Sequence, residues 1–226
     1  MTTSVSKDTL RSVIQFITIA EKLKTELRHS WTSNPERRES VAEHTWMMCL
    51  LAITLFGRIK TPLNQLKCLK MIIIHDLGEA VIGDIPAFEK SDRQTSKQEN
   101  EAKAMRQITD ALDDKYAGLE MVALWQEFEK GDTNESKFAN AMDKVEVLLQ
   151  HNVADIKTWG DGDFSLNPYY RDEMFDFDEY IRHFKDEVDT DTMKKIESQN
   201  VLHRVSEKHK KIWETLSSKD QKINNR

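Results

Sequence analysis

The chain has 226 residues, a formal net charge of −6, 38% apolar residues and 32% charged residues. That length buries a core without disulfide staples, and the negative charge excludes a non-specific coat on a nucleic-acid polymer, which demands a basic surface. No apolar run approaches the roughly 18 residues that a membrane span needs, the opening MTTSVSKDTLRS has no signal pattern, and Cys49 and Cys68 fit buried thiols in a reducing cytoplasm.

Seven glycines and four prolines punctuate the sequence. Apolar residues recur at three-and-four spacing and strand-like alternation is nearly absent, so the expected fold class is all-α. Residues 8–27 place Leu10, Val13, Ile14, Ile17, Ala20, Leu23 and Leu27 on one helical stripe. The polar segment from Arg28 to Glu39, with Pro35, reads as a loop. Ser40 and Glu43 form a capping-box pattern that opens a helix to about Arg58. Pro62 opens the next, which is expected to run to about Ile82 and stop at Gly83, before a loop over 84–93.

Ser96 and Glu99 make a second capping-box pattern, for a helix to about Leu112. Helices follow over 119–130, ended by Gly131, and over 135–158, with Phe138, Met142, Val145, Leu149 and Val153 on one side. Residues 159–173 read as a loop, and helices are expected near 174–186 and 190–216. The sequence reads as a single domain over 1–226. Its core spans about 10–158, a helical C-terminal extension covers 159–216, and the tail 217–226 frays.

The segment KCLKMIIIHDLGEAVIGDIPAFEK, residues 67–90, poses a physical problem. Met71–Ile74 run straight into His75 and Asp76, and the carboxylates Glu79 and Asp84 follow. An unpaired charge against so apolar a run costs several kcal/mol, roughly. On a helix Glu79 shares a face with both His75 and Asp76. A divalent cation there pairs the carboxylates and takes neutral imidazole as a ligand. Further ligands must come from other helices. His44 stands in the apolar VAEHTWMMCLLAITL and Asp143 in FANAMDKVEVLLQ. His44, His75, Asp76 and Asp143 thus form a candidate His₂Asp₂ set; the bland alternative is a satisfied core histidine and a surface aspartate.

His44, the His75-Asp76 pair and a lone Asp143, all in a helical chain, resemble the HD-domain metal-dependent phosphohydrolases. RRESVAEH (37–44), KCLKMIIIHDLGEAVIGDI (67–85), KQENEAKAMRQI (97–108) and ESKFANAMDKVEVLLQ (135–150) are similar to the branch with the bacterial 5′-deoxynucleotidases of the YfbR type and their eukaryotic relatives. The resemblance covers roughly residues 10–155. It implies a compact multi-helix bundle and a cytoplasmic phosphomonoester hydrolase acting on deoxynucleoside 5′-monophosphates, commonly as a homodimer. It implies one divalent ion on His44, His75, Asp76 and Asp143, with cobalt, manganese, magnesium, iron, nickel, copper and zinc all open.

Glu79 and Asp84 match the family's catalytic carboxylates, one to handle the attacking water and one the departing 5′-oxygen. Arg28 matches its substrate arginine, and Arg38 joins it as a candidate phosphate clamp. Trp31 is a candidate for stacking on the nucleoside or packing on the sugar, or else a plain core anchor. Here the chain reads Arg28-His29-Ser30-Trp31, whereas the bacterial pattern has tryptophan directly after arginine, which leaves sugar discrimination open. Two alternatives stand beside this reading: an HD hydrolase of another phosphate compound, such as a triphosphate or cyclic nucleotide, and a nucleotide-binding module without turnover.

Overall fold

The computed structural model describes residues 6–86 and 88–224. In chain order its elements are α1 (Lys7–Ala20), β1 (Leu27–Trp31), β2 (Arg38–Ser40), α2 (Val41–Leu55), α3 (Gln65–Ile74), α4 (Glu79–Ile82), α5 (Asp92–Thr95) and α6 (Lys97–Thr109). They continue with α7 (Lys115–Lys130), α8 (Asn134–Val153), α9 (Asp161–Leu166), α10 (Glu179–Ser198) and α11 (Glu207–Asn224). The architecture is all-α apart from the β1–β2 pair. Helix α8 is the axis: α2, α3, α7 and α10 all pack on it. Its buried Phe138, Met142, Val145 and Leu148 interlock with Met48, Met71 and Ile72, so the helices carrying His44, His75 and Asp143 are held side by side by one apolar core.

The capping box expected at Ser40 forms. Ser40 Oγ accepts from Glu43 N at 3.3 Å, and the Glu43 carboxylate accepts from Ser40 N at 2.9 Å. Ser40→Ala is expected to cost about 1 kcal/mol, read as a lower denaturation midpoint at unchanged slope. Thr133 opens α8 in the same way, with Ser136 at the third position.

Several boundaries differ from the sequence reading. The expected loop over 28–39 is an antiparallel hairpin, with Leu27 opposite Ser40 and Trp31 opposite Arg38. Its polar composition concealed a strand pair whose turn closes through Thr32 N donating to Arg37 O at 3.0 Å. The helix expected to run on to Ile82 stops at Ile74. The His75 ring takes the Ile72 carbonyl at 2.8 Å, the acceptor a continuing helix would offer to Asp76 N. The chain then tightens into three-residue steps, Leu77 N to Ile74 O and Glu79 N to Asp76 O, both at 3.0 Å.

Helix α1 ends at Ala20, and only Phe16 of it is buried; Leu10, Val13, Ile14 and Ile17 are exposed. Ser96 does not cap α6; its hydroxyl turns back to Asp92 O at 2.9 Å, while Ser91 caps α5. Asp114 accepts from Tyr116 N and Ala117 N and so starts α7 four residues early, and Gly131 ends it in the left-handed region (φ 65°) as expected. Helix α8 ends at Val153 rather than 158. The expected loop 159–173 contains α9.

The two helices expected near 174–186 and 190–216 have their break elsewhere. Lys185 binds both Asp189 oxygens at 2.6 Å across the supposed gap, and Val188 and Thr192 are buried. So α10 runs unbroken to Ser198 and the turn falls at Asn200 (φ 58°). The expected frayed tail is helical through Asn224, and residues 225–226 lie outside the described ones. The C-terminal third contributes Phe175, Ile181 and Val188 to the main core, and a second cluster joins Trp159, Phe164, Met193, Ile196, Val205 and Trp213.

Candidate functional site

His44 and His75 are buried, and each has one ring nitrogen already engaged. His44 Nδ1 donates to Glu146 Oε2 at 2.5 Å, and His75 Nδ1 donates to Ile72 O. Those bonds fix the ring orientations and leave each Nε2 buried with no hydrogen-bond partner among the described residues. The ligand atoms of His44, His75 and Asp143 fall within 4.8 Å of one another. Asp143 Oδ1 is 3.3 Å from His44 Nε2. Asp76 Oδ2 is 3.0 Å from His75 Nε2 and 4.0 Å from His44 Nε2. The tight turn after Ile74 brings both His75 and Asp76 to one point, which adjacent positions on a straight helix do poorly.

Two bare imidazole nitrogens facing two carboxylates fit a divalent cation. The charge balance agrees. Burial and Arg28 oppose protonation of His44, but Glu146 and Asp143 outweigh them and push its pKa up to about 10. Burial opposes charge on Asp143 and Asp76, yet Lys144 and the two histidines hold the first, and the histidines and Arg28 the second, below the usual carboxylate range. The cluster as a whole draws positive charge. Glu146→Gln, which loosens the His44 ring, is expected to weaken metal affinity about 10- to 100-fold, measured by titration with a metallochromic chelator.

Above this point opens a cleft of about 740 Å³, solvent mouth included. Arg28, Asp76, Glu79, Asp84, Lys97, Asp143 and Lys144 line it. Arg28 reaches Asp76 Oδ2 with Nη1 at 3.1 Å and lies 3.6 Å from Glu39 through Nε. Burial works against its charge, but Asp76, Asp84, Asp143 and Glu79 outweigh burial and keep it protonated. Glu79 is 4% exposed, and its Oε2 has no partner among the described residues. Burial, then Asp76 and Asp84, push its pKa up to about 10. Burial also raises Asp84, against the pull of Arg28.

Asp84 is placed by Gly83, whose φ of 77° suits glycine and where a Cβ would lie 3.1 Å from Glu26 Oε1. The same Glu26 oxygen accepts from Asp84 N at 3.0 Å.

The structure thus brings together His44, His75, Asp76, Asp143, Glu79, Asp84 and Arg28. Trp31 and Arg38 stay apart from them: the Arg38 guanidinium lies over the Trp31 ring at 5.5 Å, and neither residue lines the cleft. The sequence reading missed Glu146, Lys97, Lys144, Asp163 and Asn167; the last two form a polar group with His29 and His151. Glu146 sits one turn beyond Met142 on the apolar side of α8, a signal of the same kind as Asp143. Lys97 carries no such mark, because its neighbours are polar.

A family profile described as HD domain matches residues 20–183. The 5′-deoxynucleotidase HDDC2 of Homo sapiens is 32% identical over 141 residues, 62% of this chain and 67% of that one. Its namesake in Dictyostelium discoideum is 33% identical over 147 residues, 62% of this chain and 76% of that one. The 5′-deoxynucleotidase hdd1 of Schizosaccharomyces pombe is 31% identical over 158 residues, 68% and 78%. Among solved structures, a Magnetospirillum magnetotacticum protein described as a "predicted metal-dependent phosphohydrolase" shares the fold. The TM-score is 0.72 at 24% identity, covering 84% of this chain and 95% of that one.

Proposed function

The chain belongs to the HD-domain family, and from that membership we propose that it is a metal-dependent phosphomonoester hydrolase releasing phosphate from deoxynucleoside 5′-monophosphates. The relatives named 5′-deoxynucleotidase support the substrate class. The observation that carries the chemistry is the pair of buried, unpartnered Nε2 atoms of His44 and His75 set against Asp76 and Asp143.

In this reading His44, His75, Asp76 and Asp143 hold one divalent ion, whose identity stays open among cobalt, manganese, magnesium, iron, nickel, copper and zinc. Such an ion supplies charge to polarise a phosphate oxygen and to lower the pKa of water. Arg28 is the bidentate partner of the phosphate, held rigid in advance by Asp76 and Glu39. Lys97 and Lys144 add positive charge from the cleft wall. Glu79 and Asp84 exchange protons with the attacking water and the departing 5′-oxygen. Trp31 and Arg38 take no part in this proposal.

We also infer a homodimer. Helix α1 exposes Leu10, Val13, Ile14 and Ile17, and α2 exposes Trp46, Met47, Leu50 and Ile53. Exposed apolar stripes of this kind are covered in stable proteins, and light scattering that returns a monomer mass rejects the dimer. Cys49 and Cys68 are both unpaired, which suits the cytoplasmic reading. Among the described residues no helix is long and apolar enough to cross a membrane. The sharing of the main core by Phe175, Ile181 and Val188 supports one domain.

The test is phosphate release from a panel of deoxy- and ribonucleoside mono-, di- and triphosphates, with chelated and metal-restored protein. Release from deoxynucleoside monophosphates, lost on chelation and restored by a divalent ion, is expected. Triphosphate or pyrophosphate release from the triphosphates favours the other hydrolase, and binding without turnover favours the sensing module.

A further inference from the structure

The cleft has a second pole that the hydrolytic residues do not use. It is built by β1, α8 and α9. His29 Nε2 donates to Asp163 Oδ2 at 3.1 Å, and Gly160 N donates to the same oxygen at 2.8 Å. His151 Nδ1 donates to Asn167 Oδ1 at 2.9 Å, and Ser30 Oγ lies 3.3 Å from His151 Nε2. All five of these side-chain-bearing residues are buried or half-buried, and His29, Ser30, His151, Asp163 and Asn167 line the cleft.

Asn167 is only 3% exposed, yet its Nδ2 has no hydrogen-bond partner among the described residues. One end of the amide is committed to His151 Nδ1, so the other is left over in the cleft wall. Burying an unused N–H donor costs stability, and a ligand acceptor arriving in the cleft removes that cost. Asp163, one turn earlier on the same helix, adds a carboxylate acceptor beside it. Phe88 lines the same end, with its ring 4.6 Å from His29. The ring fits there because residue 162 is glycine; a Cβ would lie 2.9 Å from Phe88.

We infer that Asn167 and Asp163, held by His151 and His29 and walled by Phe88, form the subsite for the base of the nucleotide. This rests on the reading of the cleft as a nucleotide site. Asn167 donates to a ring nitrogen or carbonyl of the base, and Asp163 accepts from a neighbouring N–H. Every natural base presents such a donor beside an acceptor on its pairing edge. The pair therefore holds a base by that edge, while rejecting a phosphate ester that has no base. The aromatic wall adds contact that any base can use.

The test uses non-hydrolysable phosphonates, so that turnover does not enter. Calorimetry on the metal-loaded protein compares thymidine 5′-methylenephosphonate with its base-free 1,2-dideoxyribose counterpart. The wild type is expected to bind the nucleoside analogue at least about tenfold more tightly, the usual weight of one buried hydrogen bond. Asn167→Asp keeps the shape and the bond to His151 but removes the donor. It is expected to bring the two affinities to within about twofold, leaving the base-free analogue unchanged. Phe88→Ala, on an exposed loop, is expected to narrow the same gap in part.

Equal affinities in the wild type overturn the subsite, as does a gap that survives both substitutions or an Asn167→Asp loss shared equally by the two analogues. Failure of the hydrolytic reading shows separately, as wild-type protein that releases no phosphate from any monophosphate. A base-dependent affinity in that protein still supports the subsite.

Discussion

Glu79→Gln is expected to lower phosphate release by about 10²- to 10⁴-fold, the range for removing a positioned general acid or base, while metal content stays near one ion per chain. Glutamine keeps the shape and the hydrogen-bonding reach of the side chain but cannot exchange a proton. Asp76 and Asp143 face the histidine Nε2 atoms at 3.0 and 3.3 Å, and among the described residues Glu79 makes no such pair, so the ion should survive its loss. Elemental analysis and a phosphate assay on the same preparation check both halves. Retained activity rejects the role, and lost metal converts Glu79 into a ligand.

The same substitution has a second expected effect, on the metal-free protein. Glu79 moves from an ordinary value of 4.5 up to about 10 on folding, through burial and the adjacent Asp76 and Asp84. Between those two values the folded chain keeps a proton that the unfolded chain releases. Stability from this group therefore falls as pH rises through that window. Glutamine has no proton to lose. The melting temperature of the variant relative to wild type is expected to climb from pH 5 to pH 9; a gap that does not change with pH rejects a neutral buried carboxyl.

Asp143→Asn is expected to weaken metal binding by at least about 100-fold, beyond the range for an orienting neighbour, and to abolish turnover at ordinary metal concentrations. The amide retains volume and one carbonyl oxygen but loses the negative charge that faces His44 at 3.3 Å and Lys144 at 2.5 Å. Asp143 sits on α8, in the middle of the core, so near-unchanged circular dichroism is needed to attribute the loss to the site. Comparison with Glu146→Gln separates the roles. Raising the metal concentration should restore Glu146→Gln fully and Asp143→Asn only in part. Equal behaviour of the two variants rejects the distinction between ligand and orienting group.

How legible the site was depended on where each residue stands. His44 and Asp143 were visible because each interrupts an apolar helical stripe, and the spacing of His75, Asp76 and Glu79 was visible for the same reason. Lys97 was not, since a charged residue among polar neighbours has an ordinary surface explanation. Arg28 was found by resemblance, through a segment read as a loop that is a strand. Trp31 was expected with it and lies outside the cleft lining, one strand residue away from Ser30, which does line it.

The sequence by itself determined the all-α class, the caps at Ser40 and Gly131, and the apolar stripes that dock α2, α3 and α8. These follow from short-range geometry: periodicity, hydrogen bonding to nearby backbone, and the freedom of glycine. Only the tertiary structure decided that the helix breaks at His75, that α10 runs through its supposed gap, and that α9 lines the cleft. The bonds at the first two are short in sequence, His75 to Ile72 O and Lys185 to Asp189, but both lie among buried residues, and α9 is tied to β1 by His29 with Asp163. The energy of such pairs depends on burial and orientation, which exist only once the core has brought the chain together.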